Sequence, residues 1–97
     1  MPAYLILEID WHDAARAAEY RRLLGPTLES HGGRTLVANE PRVLEGDWNP
    51  RRVVVIEFPT MDALQAWYKS EEYAPLIRIR NEGAKTRMIA VESAPRA

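Results

Sequence analysis

The chain opens with a stretch in which side chains alternate between two sets, the pattern of a β-strand whose residues point to opposite faces of a sheet. From Ala3 to Asp10, one of the two sets is entirely apolar and consists of Ala3, Leu5, Leu7 and Ile9. A second run, from Arg52 to Phe58, is rich in β-branched residues, which favour strands. Its alternate side chains Val54, Ile56 and Phe58 share one face. The two patterns predict two strands, each with one buried face.

Two other segments carry apolar residues at intervals of three and four, which is typical of helices with one buried side. The first extends from about Ala14 to Ser30. Pro26 predicts a kink within it, because proline removes a backbone donor and clashes with the preceding turn. The second extends from Met61 to about Lys69, with Thr60 as its N-terminal cap. Ser70 is placed to begin one more turn or helix.

The remaining strands are shorter or interrupted. After "HGG" at 31–33, which ends the first helix, a strand is predicted from about Arg34 to Ala38 and, beyond "NEP", from Arg42 to Glu45. Pro41 cannot donate to a strand ladder, so this strand is expected at a sheet edge or with a bulge. "GDWNPR" then turns the chain. Thr86 to Val91 forms the last strand, and "ESAPRA" forms a loose tail.

The resulting order, β-α-β-β-α-β, is that of a single α+β domain over residues 1–97 with the ferredoxin-like fold and a four-stranded antiparallel or mixed sheet. In that arrangement we expect the first and third strands to be central, adjacent and parallel. Two helical segments can cover only one face of such a sheet. The other face is therefore left open.

The open face predicts a partner. If the apolar sets face the helices, the residues that face away are Tyr4, Ile6, Glu8, Val53, Val55 and Glu57, four of them apolar or aromatic. Covering such a face with a second copy of the chain is the commonest closed solution. Trp48 lies in a turn, where it either folds back over a strand end or reaches the partner, and we favour the second outcome. A homodimer through this face is predicted, with interface residues Tyr4, Ile6, Trp48, Val53 and Val55.

Composition narrows the class of function. Thirteen Lys and Arg against fourteen Asp and Glu give a net charge of −1, which provides no field for binding nucleic acid or an anionic membrane. Cysteine is absent, which excludes thiol chemistry and fits a cytoplasmic protein. The apolar N-terminal stretch is far shorter than the roughly 20 residues that span a bilayer. His12 and His31 show no metal-ligand spacing, which argues against a zinc or non-haem iron site. No cofactor is predicted, and a single axial histidine for haem stays open as an alternative.

Several stretches together resemble a known family. They are "HGG", "VLEGDWNPRRVVVIEFP", "AWYKSEEY" and "RIRNEGAKTRMIAVE", and they span nearly the whole chain. In combination they resemble the uncharacterised bacterial family called domain of unknown function 1330. The resemblance implies a ferredoxin-like subunit that pairs sheet to sheet into a dimeric α/β barrel. It implies no reaction, because the wider superfamily includes cofactor-free monooxygenases, haem-handling enzymes, isomerases and ligand-sensing domains.

Glu8 and Glu57 are the leading candidates for chemistry. Both are expected near the C-terminal ends of neighbouring strands on the open face, where burial by a dimer and mutual repulsion would raise the pKa of at least one carboxyl group. Such a carboxyl group can act as a general acid or base near neutral pH. The alternative is that both form structural ion pairs, with Arg87 or another basic side chain.

Four further residues are candidates with a plainer alternative each. His31 is either a second proton carrier or a capping residue at the end of the first helix. Arg80 is either an anchor for a substrate carboxylate or the partner of Glu71, Glu72 or a strand-end carboxylate. Trp67 and Tyr73 either contact a substrate or belong to the core.

The sequence thus predicts a cofactor-free small-molecule enzyme or ligand-binding protein, with a pocket in the dimer barrel or between the sheet and the helices. A non-catalytic dimeric structural or sensing module, in which the charged residues only satisfy one another, is the alternative.

Overall fold

The computed structural model of the chain describes residues 1–95, so the end of the predicted tail lies outside the described residues. The secondary structure elements of the described chain are β1 (Ala3–Trp11), α1 (Ala14–Glu29), β2 (Arg34–Asn39), β3 (Val53–Phe58), α2 (Met61–Tyr68), α3 (Ala74–Gly83) and β4 (Ala84–Glu92). The α+β class and the ferredoxin-like order are confirmed, with α2 and α3 in place of the second helix of the simple pattern.

The sheet has the order β2-β3-β1-β4, and every neighbouring pair within residues 1–95 is antiparallel. The expectation that β1 and β3 run parallel is therefore wrong. The reason is topological: the crossover through α1 makes β2 parallel to β1, and the chain reversal before β3 then points β3 the opposite way. As a result, Tyr4 lies opposite Glu57 and Glu8 lies opposite Val53.

The second strand is shorter than predicted. β2 ends at Asn39, and residues 40–52 contain no helix or strand, so the expected continuation from Arg42 to Glu45 is wrong. Pro41 removes a ladder donor at the point where the strand would have to resume. The predicted edge position and irregularity are both confirmed, since β2 is one of the two outer strands and its register with β3 shifts between Thr35 and Val37.

The helix boundaries follow from local chemistry. Asp13 caps α1 by accepting a hydrogen bond from the Arg16 amide at 3.1 Å, and Thr60 caps α2 in the same way at the Ala63 amide, at 3.0 Å. α1 ends before Gly32, whose φ of 72° is a left-handed conformation that glycine adopts without steric cost. No helix in the described part of the chain is long and apolar enough to cross a membrane.

The core lies between the helices and one face of the sheet. The predicted apolar set of β1 is buried, as are Ile56 and Phe58 from β3. Trp67 from α2 and Tyr73, which precedes α3, are fully buried against them, with ring centroids 4.0 Å apart. The opposite face of β1 and β3 is only half-buried, which confirms the open face that the alternation predicts.

Candidate functional site

The open face carries an apolar row that crosses the whole sheet. The register places Val37, Val55, Ile6 and Ile89 side by side on the four strands, and we call these four residues the apolar row. Val37 and Ile89 are strongly exposed, Ile89 to 60%. A continuous apolar strip on four neighbouring strands is a surface that water solvates poorly.

Charged residues lie on both sides of the apolar row. On one side Glu8 accepts hydrogen bonds from Arg87 Nε and, at 2.9 Å, from Trp48 Nε1. We call these three residues the Glu8 corner. The hydrogen bonds from Arg87 and from Trp48 lower the pKa of the Glu8 carboxyl group, against a smaller opposing effect of burial. A carboxylate held in this way is a poor proton acceptor at neutral pH.

Trp48 folds back over β1 and is held there by Glu8. This is the outcome that we did not favour from sequence, and the hydrogen bond explains it, because the indole N–H finds a charged acceptor in its own chain. The three residues of the Glu8 corner line a groove of about 690 Å³ on the open face. Ile6, Val53 and Ile89 line the same groove. Trp48 remains 57% exposed, so its contact with a partner stays a prediction.

Glu57 lies on the other side of the apolar row and forms a different ion pair. Its Oε1 accepts from Arg34 Nε and Nη2, both at 2.9 Å. Burial and a hydrogen bond with Glu57 raise the pKa of the neighbouring Tyr4 hydroxyl. Because β1 and β3 are antiparallel, Glu8 and Glu57 are on opposite sides of the row, and the predicted pair of neighbouring carboxylates does not form.

A second cavity lies on the helix side of the sheet, between α1 and strands β1 to β3. This cleft has a volume of about 270 Å³ and is lined mainly by apolar and aromatic side chains, among them Trp11, Tyr20, Leu24, Leu28 and Ile56. It exists because α1 packs mainly against α3 and leaves the inner face of β2 uncovered. Arg21 and Arg52 are the charged residues of the lining, and no acidic residue contributes to it.

Tyr20, which lines the cleft, also belongs to a buried polar group with Tyr73 and Arg80, and we call these three residues the donor cluster. The Tyr20 and Tyr73 hydroxyl oxygens are 2.7 Å apart. Arg80 is only 6% exposed, and neither its Nε nor the Thr86 hydroxyl has a hydrogen-bond partner within residues 1–95. Burial and the Tyr73 hydroxyl raise the pKa of Tyr20, while Arg80 opposes this increase, so the phenol stays protonated at neutral pH.

His31 and Trp67 occupy structural positions, and Arg80 lacks its predicted partner. The Nδ1 atom of His31 lies 3.2 Å from the Thr27 carbonyl oxygen, the capping position that was its plainer alternative. Trp67 donates to the Thr27 hydroxyl at 3.0 Å from inside the core. Arg80 makes no ion pair with any carboxylate of residues 1–95, so its predicted pairing with Glu71, Glu72 or a strand-end carboxylate is wrong.

The sequence allowed a pocket between the sheet and the helices, where the cleft lies, but it did not single out Tyr20 or Thr86. Tyr20 was visible only as one apolar position on the inner stripe of α1, and nothing in the sequence indicates that its hydroxyl meets Tyr73 from 53 positions away. A threonine on the inner face of β4 is equally ordinary. Within the described residues, no three acidic or histidine side chains lie together in a way that would hold a metal ion.

Comparison with solved structures confirms the fold. A protein of unknown function from Rhodopseudomonas palustris matches with a TM-score of 0.79 and 19% identity, over 98% of this chain and 84% of that one. A dimeric ferredoxin-like protein of unknown function from Jannaschia sp. CCS1 matches with a TM-score of 0.76 and 12% identity, over 96% and 100%.

SnoaB, a cofactor-independent oxygenase from Streptomyces nogalater, matches with a TM-score of 0.65 and 13% identity, over 98% of this chain and 95% of that one. At such identities the likeness shows the fold alone. No curated protein sequence matches the chain. The model of one family does match, over residues 2–94, and on this evidence the chain belongs to the family named domain of unknown function (DUF1330).

Proposed function

We propose that the chain forms a homodimer through the open face of its sheet and binds a small, largely apolar molecule in the helix-side cleft. The observation that carries this proposal is the cleft itself, a concave site lined by Trp11, Tyr20 and Leu24 beside buried polar groups. Concave, mostly apolar sites with a few polar groups are where proteins bind small molecules.

The size of the cleft suits a compact ligand. An apolar cavity of about 150 Å³ is enough to bind benzene, and the cleft has about 270 Å³. The oxygenase SnoaB shares the fold and acts without a cofactor, which agrees with a small-molecule function but supplies no reaction for this chain. A ligand with one aromatic ring is therefore a suitable first probe.

Binding in the cleft is tested with benzyl alcohol, a neutral single-ring probe, by ligand-observed NMR titration. We expect saturable binding with a Kd on the order of 1 mM, which corresponds to about −4 kcal/mol. Ala38→Trp fills the cleft from the exposed strand β2 and should abolish the signal. Ala18→Trp, on the solvent side of α1, is the matched control and should leave binding unchanged. Equal binding by the wild type and Ala38→Trp would contradict the proposed site.

The dimer is supported by the apolar row, whose members Ile6 and Val55 sit at the centre of the open face between two ion pairs. The Jannaschia protein is described as dimeric, which agrees with such pairing. In a dimer of this kind, Tyr4 and Val53 would also be covered, and the groove beside Trp48 would be enclosed.

Light scattering during size-exclusion chromatography tests the dimer. We expect twice the mass of one chain for the wild type and one chain's mass for Ile6→Asp, because a charge would replace the centre of the apolar row. Leu44→Asp is the control, since Leu44 is 88% exposed in the irregular segment 40–52 and lies off the sheet. A wild-type protein with the mass of a single chain would contradict the dimer. Loss of the dimer in Leu44→Asp alone would place the interface at residues 40–52 instead of the open face.

A non-catalytic dimeric module remains a second candidate, and the ion pairs favour it. Both carboxylates that were proposed as acid or base are paired, Glu8 with Arg87 and Glu57 with Arg34. Under this candidate, Glu8→Gln and Glu57→Gln change neither probe binding nor any turnover. Loss of turnover of an identified substrate in either variant, with the dimer intact, would restore a catalytic carboxylate.

The cytoplasmic location stays a prediction.

A further inference from the structure

We infer that the ligand of the helix-side cleft carries a single negative charge, as in a carboxylate, and that the donor cluster holds this charged group. The inference rests on the proposed function, because it assigns the charged part of the same ligand. It goes further in naming the chemical class, an aromatic or similarly apolar monoanion, and the residues that would recognise it.

The first argument is a count of donors and acceptors. Tyr20 and Tyr73 share one hydrogen bond, so one of the two hydroxyls donates to the other and the remaining hydroxyl hydrogen has no acceptor of its own. The Arg80 Nε–H and the Thr86 hydroxyl also have no partner within residues 1–95. The tyrosine hydrogen and the Arg80 Nε–H belong to one group, since Arg80 interacts with the Tyr20 hydroxyl, and an anion would supply the acceptor that both lack.

The second argument is charge. Arg80 carries a guanidinium group that is always protonated, and only 6% of the residue is exposed. Burying an uncompensated charge costs several kcal/mol even after relaxation. A buried water would satisfy a donor but would add no negative charge, whereas a carboxylate supplies both the acceptor oxygens and the compensating charge.

The third argument is location. Tyr20 lines the cleft with its ring and belongs to the donor cluster through its hydroxyl, so the two sites meet at this residue. Trp11, which packs 5.4 Å from the Tyr20 ring, lines the same end of the cleft. The other charged groups in the lining are Arg21 and Arg52, and neither pairs with a carboxylate of the described chain. The electrostatic potential of the cleft therefore favours an anion.

The test compares benzoate with benzyl alcohol, which has the same ring and no charge, by NMR titration at constant ionic strength. Arg80→Met keeps the length of the side chain and removes the charge. Arg78→Met is the matched control, because Arg78 is exposed on the same helix two positions away. We expect benzoate to bind the wild type and Arg78→Met at least tenfold more tightly than it binds Arg80→Met, while benzyl alcohol binds all three equally.

The outcomes separate this inference from the proposed function. If benzyl alcohol and benzoate bind the wild type with equal affinity, the cleft stands and the anion inference is overturned. If neither compound binds the wild type, the proposed function fails and the anion inference fails with it. Should Arg80→Met not fold, the wild-type preference for benzoate and its reduction by Arg80→Lys, which keeps the charge but loses the planar fork, decide the question.

Discussion

Two arginines on opposite sides of the sheet, Arg87 in β4 and Arg80 in α3, have opposite surroundings. Arg87 has a side chain that is 77% exposed and binds the Glu8 carboxylate, while Arg80 is buried and pairs with no carboxylate of residues 1–95. Water solvates the charge of Arg87 whether or not Glu8 is present, whereas Arg80 has exchanged water for neutral groups. The comparison shows that the surroundings of a charged group, more than its presence, decide whether it still lacks a partner.

The two faces differ in the same way as the two arginines. On the open face, the charged groups satisfy one another on either side of the apolar row, which is how polar groups are arranged around the apolar centre of a protein interface. On the helix side, polar groups without partners border a cleft. The first arrangement is suited to a second copy of the chain and the second to a small molecule.

The largest expected effect contrasts two tryptophans, one on each face. Trp67→Ala should lower the free energy of unfolding by about 3–5 kcal/mol, because it leaves a large cavity in the core. Trp48→Ala, on the open face, should change the stability of the isolated subunit by well under half of that amount. Urea unfolding at a concentration where both variants have the same oligomeric state measures the difference. Similar losses for both would mean that the open face is packed as tightly as the core.

A second contrast uses two glycines. A Cβ at Gly33 would lie 2.7 Å from the Phe58 ring, so Gly33→Ala should cost about 1–3 kcal/mol through overpacking. Gly25 lies within α1, and a Cβ there meets no atom within 4 Å, so Gly25→Ala should stabilise the protein by about 0.4–1 kcal/mol. Thermal unfolding of the two variants tests both signs. An unchanged unfolding temperature for Gly33→Ala would show that the Phe58 side chain can shift to make room for the added methyl group.

The two arginines should respond differently to the same substitution. Without ligand, Arg80→Met should leave the stability unchanged or raise it by about 1 kcal/mol or more, since it removes a buried charge that nothing compensates. Arg87→Met should lower stability slightly and raise the pKa of Glu8 towards its ordinary value. Denaturant unfolding and NMR titration of the Glu8 carboxyl group measure the two effects. Strong destabilisation by Arg80→Met would show that the protein itself compensates this charge.

The smallest expected effect is the pH dependence of the Glu8 corner. The folded-state pKa of Glu8 is lowered, so its contribution to stability is complete above the unfolded value of about 4.3 and is lost as the pH falls through the folded value. Glu8→Gln should therefore be less stable than the wild type at neutral pH, and the difference should vanish in acid. Unfolding curves at several pH values test this. A difference that grows as the pH falls would have the wrong sign.

Much of the fold could be predicted because it depends on local periodicity. The regular alternation that puts Leu5, Leu7 and Ile9 on one face was sufficient to assign the buried and half-buried faces of β1. The relative direction of β1 and β3 was not local, since it depended on how many times the chain reversed between them. That single error placed Glu8 and Glu57 together. A site predicted from sequence is therefore only as accurate as the predicted strand directions.

The candidate site was far less predictable than the fold. The residue types that indicate chemistry in a sequence, such as Glu57 and His31, turned out to have ordinary partners. The informative feature was a lack of partners at Arg80 and Thr86, which appears only when the side chains of α3 and β4 are placed among their neighbours. A sequence displays the groups that are present and cannot display which of them remain unsatisfied.

The irregular outer strand also bears on how the protein behaves when it is concentrated. All six residues of β2 are exposed, and a straight edge of this kind would invite strand-by-strand addition of further chains and the growth of fibres. The shift between Thr35 and Val37 breaks the ladder after its first rungs, and Pro41 prevents its extension. The irregularity of β2 therefore makes this edge of the sheet a poor template for an added strand, while β4, the other edge strand, pairs with β1 without a register shift.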